Sequence, residues 1–133
     1  MYILKVEAGF EAAHRLPEYD GPCRRIHGHS YVVQATWNYV GPIVAGITID
    51  LVILKRILRG VLVRFDHNSL NTTMTNTPSA ENLAKFIFTL LQAAEHGSLL
   101  TQVAVEETRG TCVIYREEPE TEQPHAGRNL APT

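Results

Sequence analysis

HSYVVQATWNYV, residues 29–40, alternates apolar and polar side chains along nearly its whole length. Successive side chains of a β-strand point to opposite faces of the sheet, so this alternation predicts a strand with one buried face. The Gly41-Pro42 pair ends the strand. The chain on either side must therefore supply the neighbouring strands and a layer that covers the apolar face. The apolar members of the alternation are Tyr31, Val33, Ala35, Trp37 and Tyr39.

Three further stretches have the composition of strands. Residues 2–15, YILKVEAGFEAAHR, precede the first pattern across a Pro-, Asp- and Gly-containing loop, and Gly9 within them indicates a bulge. Residues 102–105 and 112–116 are two short strands. The Arg109-Gly110 pair between them predicts a hairpin.

Two stretches between the second and third strands predict helices. Asp50 is a suitable N-cap for a run whose apolar residues recur on one helical face as far as Phe65. Ser79 opens the second helix, which we expect to continue to about Glu95, with Gly97 as its C-terminal stop.

The predicted elements follow the order strand, strand, helix, helix, strand, strand. Grouped rather than alternating elements favour an α+β fold, with a four-stranded antiparallel sheet and two helices packed on one face. A sheet this small has exposed edges, which proteins protect by covering or pairing them. We therefore expect the chain to form oligomers through its sheet edges.

Charge is spread unevenly over the 133 residues. Four of the 14 acidic residues, but one of the 12 basic residues, lie in the Pro-containing segment 117–133. We expect residues 1–116 to form one domain and residues 117–133 to be a disordered acidic tail. The near balance of charge in the domain argues against a nucleic-acid partner, and no apolar run is long enough for a membrane span. The charged, alternating N-terminus is unlike a signal peptide, which predicts a cytoplasmic protein.

Histidines concentrate where the first two predicted strands meet their connecting loop. His27 and His29 are two residues apart at the entry to the second strand, so their side chains point to the same face. His14 ends the preceding strand, and antiparallel pairing of the two strands brings all three imidazoles together. Three imidazoles with an open fourth position are the arrangement of a catalytic zinc site. A solvent-facing pair of histidines without a metal is the alternative.

The two cysteines, Cys23 and Cys112, are expected to be free thiols in a reducing cytosol. Cys23 lies four residues before His27, and the positive charges of Arg24 and Arg25 favour its thiolate, which acts as a base or nucleophile. A small loop cysteine without chemistry is the alternative. Cys112 lies within the last predicted strand, among Val113 and Ile114, and we expect it to pack in the core.

Asp66 and His67 form a second candidate constellation. Adjacent loop residues can place a carboxylate beside an imidazole and orient it for proton transfer. In the alternative interpretation Asp66 is a turn residue after the helix and His67 lies on the surface. His96 and His125 have no such neighbours and are taken as incidental.

Five short motifs carry a resemblance to a known family. They are FEAAHRLP (10–17), Cys-x3-His-Gly-His-Ser (23–30), FDHNSLN (65–71), PSAENLA (78–84) and Glu-Thr followed by IYR (107–108 and 114–116). In this order, over nearly all of residues 1–116, the chain resembles 6-pyruvoyltetrahydropterin synthase-like proteins. The Cys-x3-His-x-His spacing is similar to that of the bacterial 6-carboxytetrahydropterin synthase branch, which serves queuosine (7-deazapurine) biosynthesis. Arg24 stands where the family has a small residue, and residues 117–133 extend past the family's usual end.

The resemblance implies a tunnelling fold (T-fold), assembled as a homohexamer, a dimer of trimers, with active sites between subunits. It also implies that Glu107 anchors the pterin ring, with Thr108 beside it, because a carboxylate accepts hydrogen bonds from the pterin amino group and ring N–H. Arg24, Arg25 and Arg15 are candidates for contacting a triphosphate, or they are ordinary solvated loop residues. The implied zinc ligands are His14, His27 and His29, and the implied catalytic set is Cys23, Asp66 and His67.

The reaction implied by the resemblance is a zinc-dependent lyase reaction on 7,8-dihydroneopterin triphosphate. Its products are 6-carboxy-5,6,7,8-tetrahydropterin, acetaldehyde and triphosphate. Formation of 6-pyruvoyltetrahydropterin and an aldolase-like cleavage of dihydroneopterin are alternatives at the same site. A non-catalytic protein that binds pterin or metal is a further alternative.

Overall fold

A single sheet organises the computed structural model, which describes residues 1–118. Within these residues the sheet has the order β3-β1-β2-β4-β5, and the helices pack on one side of it. The α+β class expected from the element order is confirmed. The strands are β1 (Tyr2–His14), β2 (His27–Tyr39), β3 (Asn68–Ser69), β4 (Leu100–Glu106) and β5 (Val113–Tyr115).

The prediction of a four-stranded, fully antiparallel sheet was wrong in one respect. β1, β2, β4 and β5 are antiparallel neighbours, but β3 adds a fifth strand that runs parallel to β1. β3 is two polar residues long and pairs only with Ala12 and Ala13. A strand this short has no periodicity of its own, since its position comes from contacts with the edge of β1.

The helices are α1 (Leu51–Leu62), α2 (Leu70–Thr73) and α3 (Ala80–Gln92). Both predicted N-caps are present, because the Asp50 carboxylate accepts a hydrogen bond from Val52 N and the Ser79 hydroxyl from Asn82 N. α1 packs on β1, while α3 packs on β4 and β5. The short α2 was not predicted, and α1 and α3 each end about three residues earlier than expected.

The core lies between the helices and one face of the sheet. Trp37 and Tyr31 of β2 and Phe65 after α1 are the largest fully buried side chains. The alternation in β2 is confirmed at these positions, because Tyr31, Val33, Ala35 and Trp37 are all buried. His14 lies on the same face at the end of β1 and is 1% exposed, which is unusual for a polar side chain and requires specific partners.

Three local expectations are corrected by the structure. Gly9 pairs in continuous register with Val32, and its Cβ would lie 3.0 Å from the Tyr31 carbonyl, so it permits a close approach rather than a bulge. α3 ends before Gly97, which instead packs against the carbonyl of Gln92. Cys112 is exposed, because β5 begins one residue later and Cys112 belongs to the preceding turn.

Two further expectations concern the chain's boundaries. Of the predicted tail, only Glu117 and Glu118 fall within the described residues, and the rest lies outside them. None of the helices in residues 1–118 combines the length and the apolar character needed to cross a bilayer.

The fold generates a stability prediction. Ile87 on α3 is fully buried, so Ile87→Ala should lower the free energy of unfolding by about 2–5 kcal/mol through lost burial and a residual cavity. Ile26→Ala, the same change at a side chain that is 76% exposed, should alter it by about 0.5 kcal/mol or less. Urea unfolding followed by circular dichroism measures both. Equal effects of the two changes would contradict the core described above.

Candidate functional site

Three histidines meet at one end of the β1–β2 pair. His14 lies opposite His27 in the register, and His29 lies opposite Ala12, so all three side chains share the helix-facing side of the sheet. Their ring centroids are 4.5–5.0 Å apart. The structure therefore brings together the residues that the sequence singled out as a metal-binding set.

Backbone carbonyls orient two of the rings. His14 Nδ1 lies 2.7 Å from the carbonyl oxygen of Pro78, and His27 Nδ1 lies 2.7 Å from that of Arg25. A carbonyl only accepts hydrogen bonds, so each Nδ1 carries a proton and each Nε2 faces the centre of the cluster. His29 Nε2 is buried without a hydrogen-bond partner. A buried, unsatisfied nitrogen aimed at two other imidazoles indicates a site built for a ligand.

Glu107, the residue directly after β4, completes the cluster. Its Oε1 lies 2.8 Å from His14 Nε2 and 3.2 Å from His29 Nε2, although the latter contact lacks hydrogen-bond geometry. One ligand atom from each of the four residues lies within 4.8 Å of all the others. Neutral imidazoles together with a carboxylate are a donor set that suits zinc, so the residues present fit the expected ion.

The four side chains perturb one another's protonation. Burial alone would lower the pKa of His14, but the hydrogen bond to Glu107, the Pro78 carbonyl and the negative charge of Glu107 together raise it above 6.5. Hydrogen bonding to His14 outweighs burial and lowers the pKa of Glu107 below 4.5. Burial lowers the pKa of His29, which favours its neutral, metal-binding form. Glu107 and His14 therefore form an ion pair in the metal-free cluster.

The second predicted constellation is also assembled. His67 Nδ1 lies 3.0 Å from Asp66 Oδ2, and Asp66 Oδ1 accepts a hydrogen bond from the backbone N–H of Glu11. The same Glu11 accepts a hydrogen bond through its carbonyl from His67 N. These contacts hold His67 at a φ of 55°, an uncommon conformation for a residue other than glycine. The Glu11 N–H and then His67 lower the pKa of Asp66 and keep it ionised.

An open groove lies beside His67 at the end of the β1–β2 pair, and by strand alternation Glu11, Ala13 and Ser30 line it on the sheet face opposite to the three imidazoles. It has a volume of about 520 Å³, and its lining includes His29 from the cluster and His67 from the pair. His67 is 79% exposed, so its imidazole is accessible to a molecule in the groove. The groove is therefore large enough to give a ligand of pterin size access to His67.

The remaining predicted residues lie around the site rather than in it. Cys23 is partly buried in a short 3-10 helix, Pro22–Arg24, and the group of metal-ligating atoms found in residues 1–118 does not include it. Arg24 and Arg25 are exposed beside it. Thr108 is exposed in the turn after Glu107, where its carbonyl accepts hydrogen bonds from Thr111.

Several supporting residues were not predicted from the sequence. Asn71 binds both the N–H and the carbonyl of Arg15 through its side-chain amide, which ties the segment after β3 to the end of β1. Tyr31 lies beside His29 and stacks on Phe10, and its buried hydroxyl has no hydrogen-bond partner. Asn71 lies inside a motif that the sequence analysis quoted, whereas the roles of Pro78 and Arg25 as carbonyl acceptors leave no signal in side-chain chemistry.

Comparison with known proteins identifies the family. The model of a family described as 6-pyruvoyl tetrahydropterin synthase matches residues 3–118. The chain belongs to the 6-pyruvoyl tetrahydropterin synthase family. Its solved relatives include the 6-pyruvoyl tetrahydropterin synthase of Caenorhabditis elegans, with a TM-score of 0.75 and 30% identity over 89% of this chain and 98% of that one. The expected tunnelling fold is thereby confirmed.

Curated relatives in the 6-pyruvoyl tetrahydropterin synthase family have different names. A 6-carboxy-5,6,7,8-tetrahydropterin synthase from Synechocystis sp. is 37% identical over 71% of this chain and 78% of its own length. A dihydroneopterin monophosphate aldolase from Pyrococcus furiosus is 34% identical over 60% of this chain and 66% of its own length. Membership of the 6-pyruvoyl tetrahydropterin synthase family thus places the chain among pterin synthases without selecting one reaction.

The ion pair in the cluster predicts a pH-dependent stability for the metal-free protein. The contribution of His14, whose pKa is raised, is fully present below pH 6.5 and is lost as the pH rises through its folded-state value. The contribution of Glu107, whose pKa is lowered, is present above pH 4.5 and is lost as the pH falls through its folded-state value. The difference in unfolding free energy between wild type and Glu107→Gln should therefore be largest between pH 4.5 and 6.5.

Urea unfolding of chelator-treated protein across the acidic and neutral range measures this difference. Glu106→Gln is the matched control, since Glu106 pairs with Val32 on the opposite face of the sheet. Its difference from wild type should vary little with pH. A pH-independent difference for Glu107→Gln would show that the ion pair does not contribute to stability.

Proposed function

We propose that the chain is a zinc-dependent lyase that converts 7,8-dihydroneopterin triphosphate and water to 6-carboxy-5,6,7,8-tetrahydropterin, acetaldehyde and triphosphate. The observation that carries the proposal is the cluster of His14, His27 and His29, each of which offers one ring nitrogen to a common point. The relative from Synechocystis, named as a 6-carboxytetrahydropterin synthase, supports the choice of reaction. The Cys-x3-His-x-His spacing supports the same choice.

The three histidines are the proposed zinc ligands. A bound zinc ion supplies Lewis-acid chemistry, which acidifies C–H bonds beside oxygen atoms of the substrate. The carbonyls of Pro78 and Arg25 fix the rings of His14 and His27, so the ligands are oriented before the ion binds. The ion competes with the proton on His14, because a ligating nitrogen must be unprotonated.

Glu107 has two proposed positions. In the metal-free cluster its carboxylate pairs with His14, and an ion held by the three histidines would replace the His14 proton and so remove this ion pair. The carboxylate is then available to accept hydrogen bonds from the amino group and ring N–H of a pterin, the role implied by the family resemblance. Thr108, the next residue, is exposed at the same turn and is proposed to contact the same ring.

Cys23 and the Asp66–His67 pair are the proposed acid–base groups. The Cys23 thiolate accepts a proton from the substrate side chain, and His67, oriented by Asp66, transfers a second proton. The exposed guanidinium groups of Arg24 and Arg25 are proposed to contact the triphosphate. The product is proposed to enter queuosine biosynthesis.

An aldolase-like reaction is the second candidate. The relative from Pyrococcus, named as a dihydroneopterin monophosphate aldolase, favours it. The same imidazole and thiol groups serve either cleavage of a carbon–carbon bond or formation of a pyruvoyl side chain. A non-catalytic pterin- or metal-binding protein is disfavoured, because binding requires no oriented Asp66–His67 pair in the groove.

The proposed assembly is a homohexamer in the cytoplasm. The outer edge of β1 has a strand partner only at Ala12 and Ala13, and the outer edge of β5 has none within residues 1–118. Open edges of this kind favour pairing with another copy. Association at these edges is compatible with active sites built between subunits.

Metal content tests the ligand assignment. Purified wild-type protein should carry about one zinc ion per chain, and His27→Ala should lose most of it because a three-histidine site loses one ligand. His96→Ala is the control, since His96 lies at the N-cap of the 3-10 helix Gly97–Leu99, outside the cluster. Elemental analysis by mass spectrometry measures the ratio. Unchanged zinc in His27→Ala would refute that ligand.

Product analysis tests the reaction. Wild-type protein with 7,8-dihydroneopterin triphosphate should release acetaldehyde and 6-carboxytetrahydropterin. Cys23→Ala and His67→Ala should each lower kcat by about 10²–10⁴-fold with zinc content retained, because each removes a proton-transfer group. Cys112→Ala should keep wild-type kcat, since this exposed thiol lies in the turn before β5. Release of a phosphorylated glycolaldehyde or of a pyruvoyl product instead selects the alternative reactions, and full turnover by Cys23→Ala removes the assigned base.

A further inference from the structure

A second groove lies between β1 and α1. Its volume is about 610 Å³, and it is larger than the groove beside the histidine cluster. Lys5 of β1 is nine residues from His14 on the same strand, which is about 30 Å along an extended chain. The groove is therefore separate from the candidate active site of the same chain. Its lining is Lys5, Val6, Glu7, Leu51, Val52, Lys55, Arg56 and Arg59.

The groove carries an excess of positive charge. Four of its lining residues are basic and one is acidic, and Lys55 donates its ammonium hydrogen bond to the carbonyl of Glu7 rather than to a carboxylate. Within residues 1–118 none of the four basic side chains forms an ion pair. Leu51 and Val52 are 51% and 64% exposed and add an apolar part to the surface. The groove therefore suits a negatively charged segment that also has apolar or backbone surface to bury.

The groove adjoins an unpaired strand edge. β3 pairs with β1 only at Ala12 and Ala13, so within residues 1–118 the part of β1 from Tyr2 to Gly9 has no partner strand on that side. The opposite edge of the sheet is β5, which is also open within the described residues. β5 runs antiparallel to β1, since three antiparallel pairings separate the two strands. The β5 edge of one copy can therefore extend the sheet of another at β1, in antiparallel orientation.

The register places the end of β5 at the height of the groove. Val6 pairs with Ala35, Ala35 with Val103, and Val103 with Tyr115. The chain that leaves β5 at Tyr115 runs toward the end of the sheet at which β1 begins. Its next residues include Glu117 and Glu118, which are exposed, and the sequence continues with Glu120 and Glu122.

Distance favours a neighbouring copy over the same chain. Within one sheet, β5 and β1 are separated by three strand spacings, about 14 Å, whereas Glu117 is only two residues, about 7 Å of chain, beyond Tyr115. From a neighbouring copy whose β5 lies beside β1, the separation is one strand spacing, about 5 Å. Glu118 can then reach the groove, whereas the Glu117 carboxylate, which accepts a hydrogen bond from Gln92 in the structure, has to exchange that contact for the groove.

We propose that the basic groove between β1 and α1 binds the acidic segment 117–122 of a neighbouring copy. The proposal requires the edge-to-edge association inferred under the proposed function, but not the lyase activity. The proposal gives the start of segment 117–133, which extends beyond the C-terminus usual for the family, a role in subunit contact. Each groove is filled by a segment of the next subunit, so the contact is heterologous, the kind that generates a ring when the rotation between copies closes.

Carbodiimide cross-linking of the full-length protein tests this contact, because it joins a lysine to a carboxylate only when the two are in contact. The chain has three lysines: Lys5 and Lys55 in the groove, and Lys85 on α3 as the matched control. Peptide mass spectrometry should find Lys5 or Lys55 joined to Glu117–Glu122 at least tenfold more often than Lys85. Arg56→Glu with Arg59→Glu should lower this product at least fivefold. Comparable cross-linking of Lys85, or an unchanged yield in the Arg variant, overturns the proposal.

Coexpression distinguishes neighbouring copies from contact within one chain. One chain carries the Arg56→Glu and Arg59→Glu changes with an intact acidic segment, and the other carries Gln at all four glutamates with an intact groove. Cross-links between the intact groove and the intact segment then arise only between chains, and their presence supports the proposal. Their absence overturns it. Native mass spectrometry of the same sample separates two causes of a missing cross-link. A monomer shows that the edge-to-edge association itself fails. A stable oligomer without the cross-link rejects only binding of the acidic segment in the groove.

Discussion

The uninterrupted pairing of β1 with β2 is the constraint on which the site depends. The thirteen residues of each strand pair in a single register, from Tyr2 with Tyr39 to His14 with His27. The same register that buries Trp37 and Tyr31 places His14, His27 and His29 on the helix-facing side. A slip by one residue turns every side chain of a strand to the other face, so the cluster and the hydrophobic core cannot be displaced independently. The apolar contacts of the strands thus determine the geometry of the histidines.

Burial and electrostatics then make the cluster reactive. Removing His14 from water without a partner would be costly, and both of its ring nitrogens have partners, Pro78 on one side and Glu107 on the other. Glu107 arrives from β4, a strand far away in sequence, at the point where that strand ends. The cluster therefore joins two parts of the chain that are far apart in sequence, and the Glu107 carboxylate compensates the charge of the His14 proton.

The sequence predicted those parts of the structure that depend on local patterns. Periodicity predicts the alternation in β2 and the convergence of the three histidines. Turn and capping residues predict the helix starts at Asp50 and Ser79 and the hairpin between β4 and β5. β3 could not be predicted, because Asn68 and Ser69 have no strand pattern and pair only through the contacts of Asp66 and Asn71 with β1. Cys112 was misplaced because its apolar neighbours extend the strand pattern by one residue into a turn. The placement of Glu107 against the histidines depends on a side-chain rotamer after a strand end, which no sequence pattern specifies.

The attachment of the Asp66–His67 pair has a consequence for evolution and engineering. Both hydrogen bonds that fix the pair to β1 use the main chain of Glu11, whereas the Glu11 side chain points into the groove and binds Ser30. Hydrogen bonds from main-chain atoms do not depend on which side chain the residue carries. Position 11 can therefore accept any side chain except proline, and so alter the groove wall, while the Asp66–His67 pair stays in place. The shape of the groove and the position of the Asp66–His67 pair are therefore separable at a single residue of this scaffold.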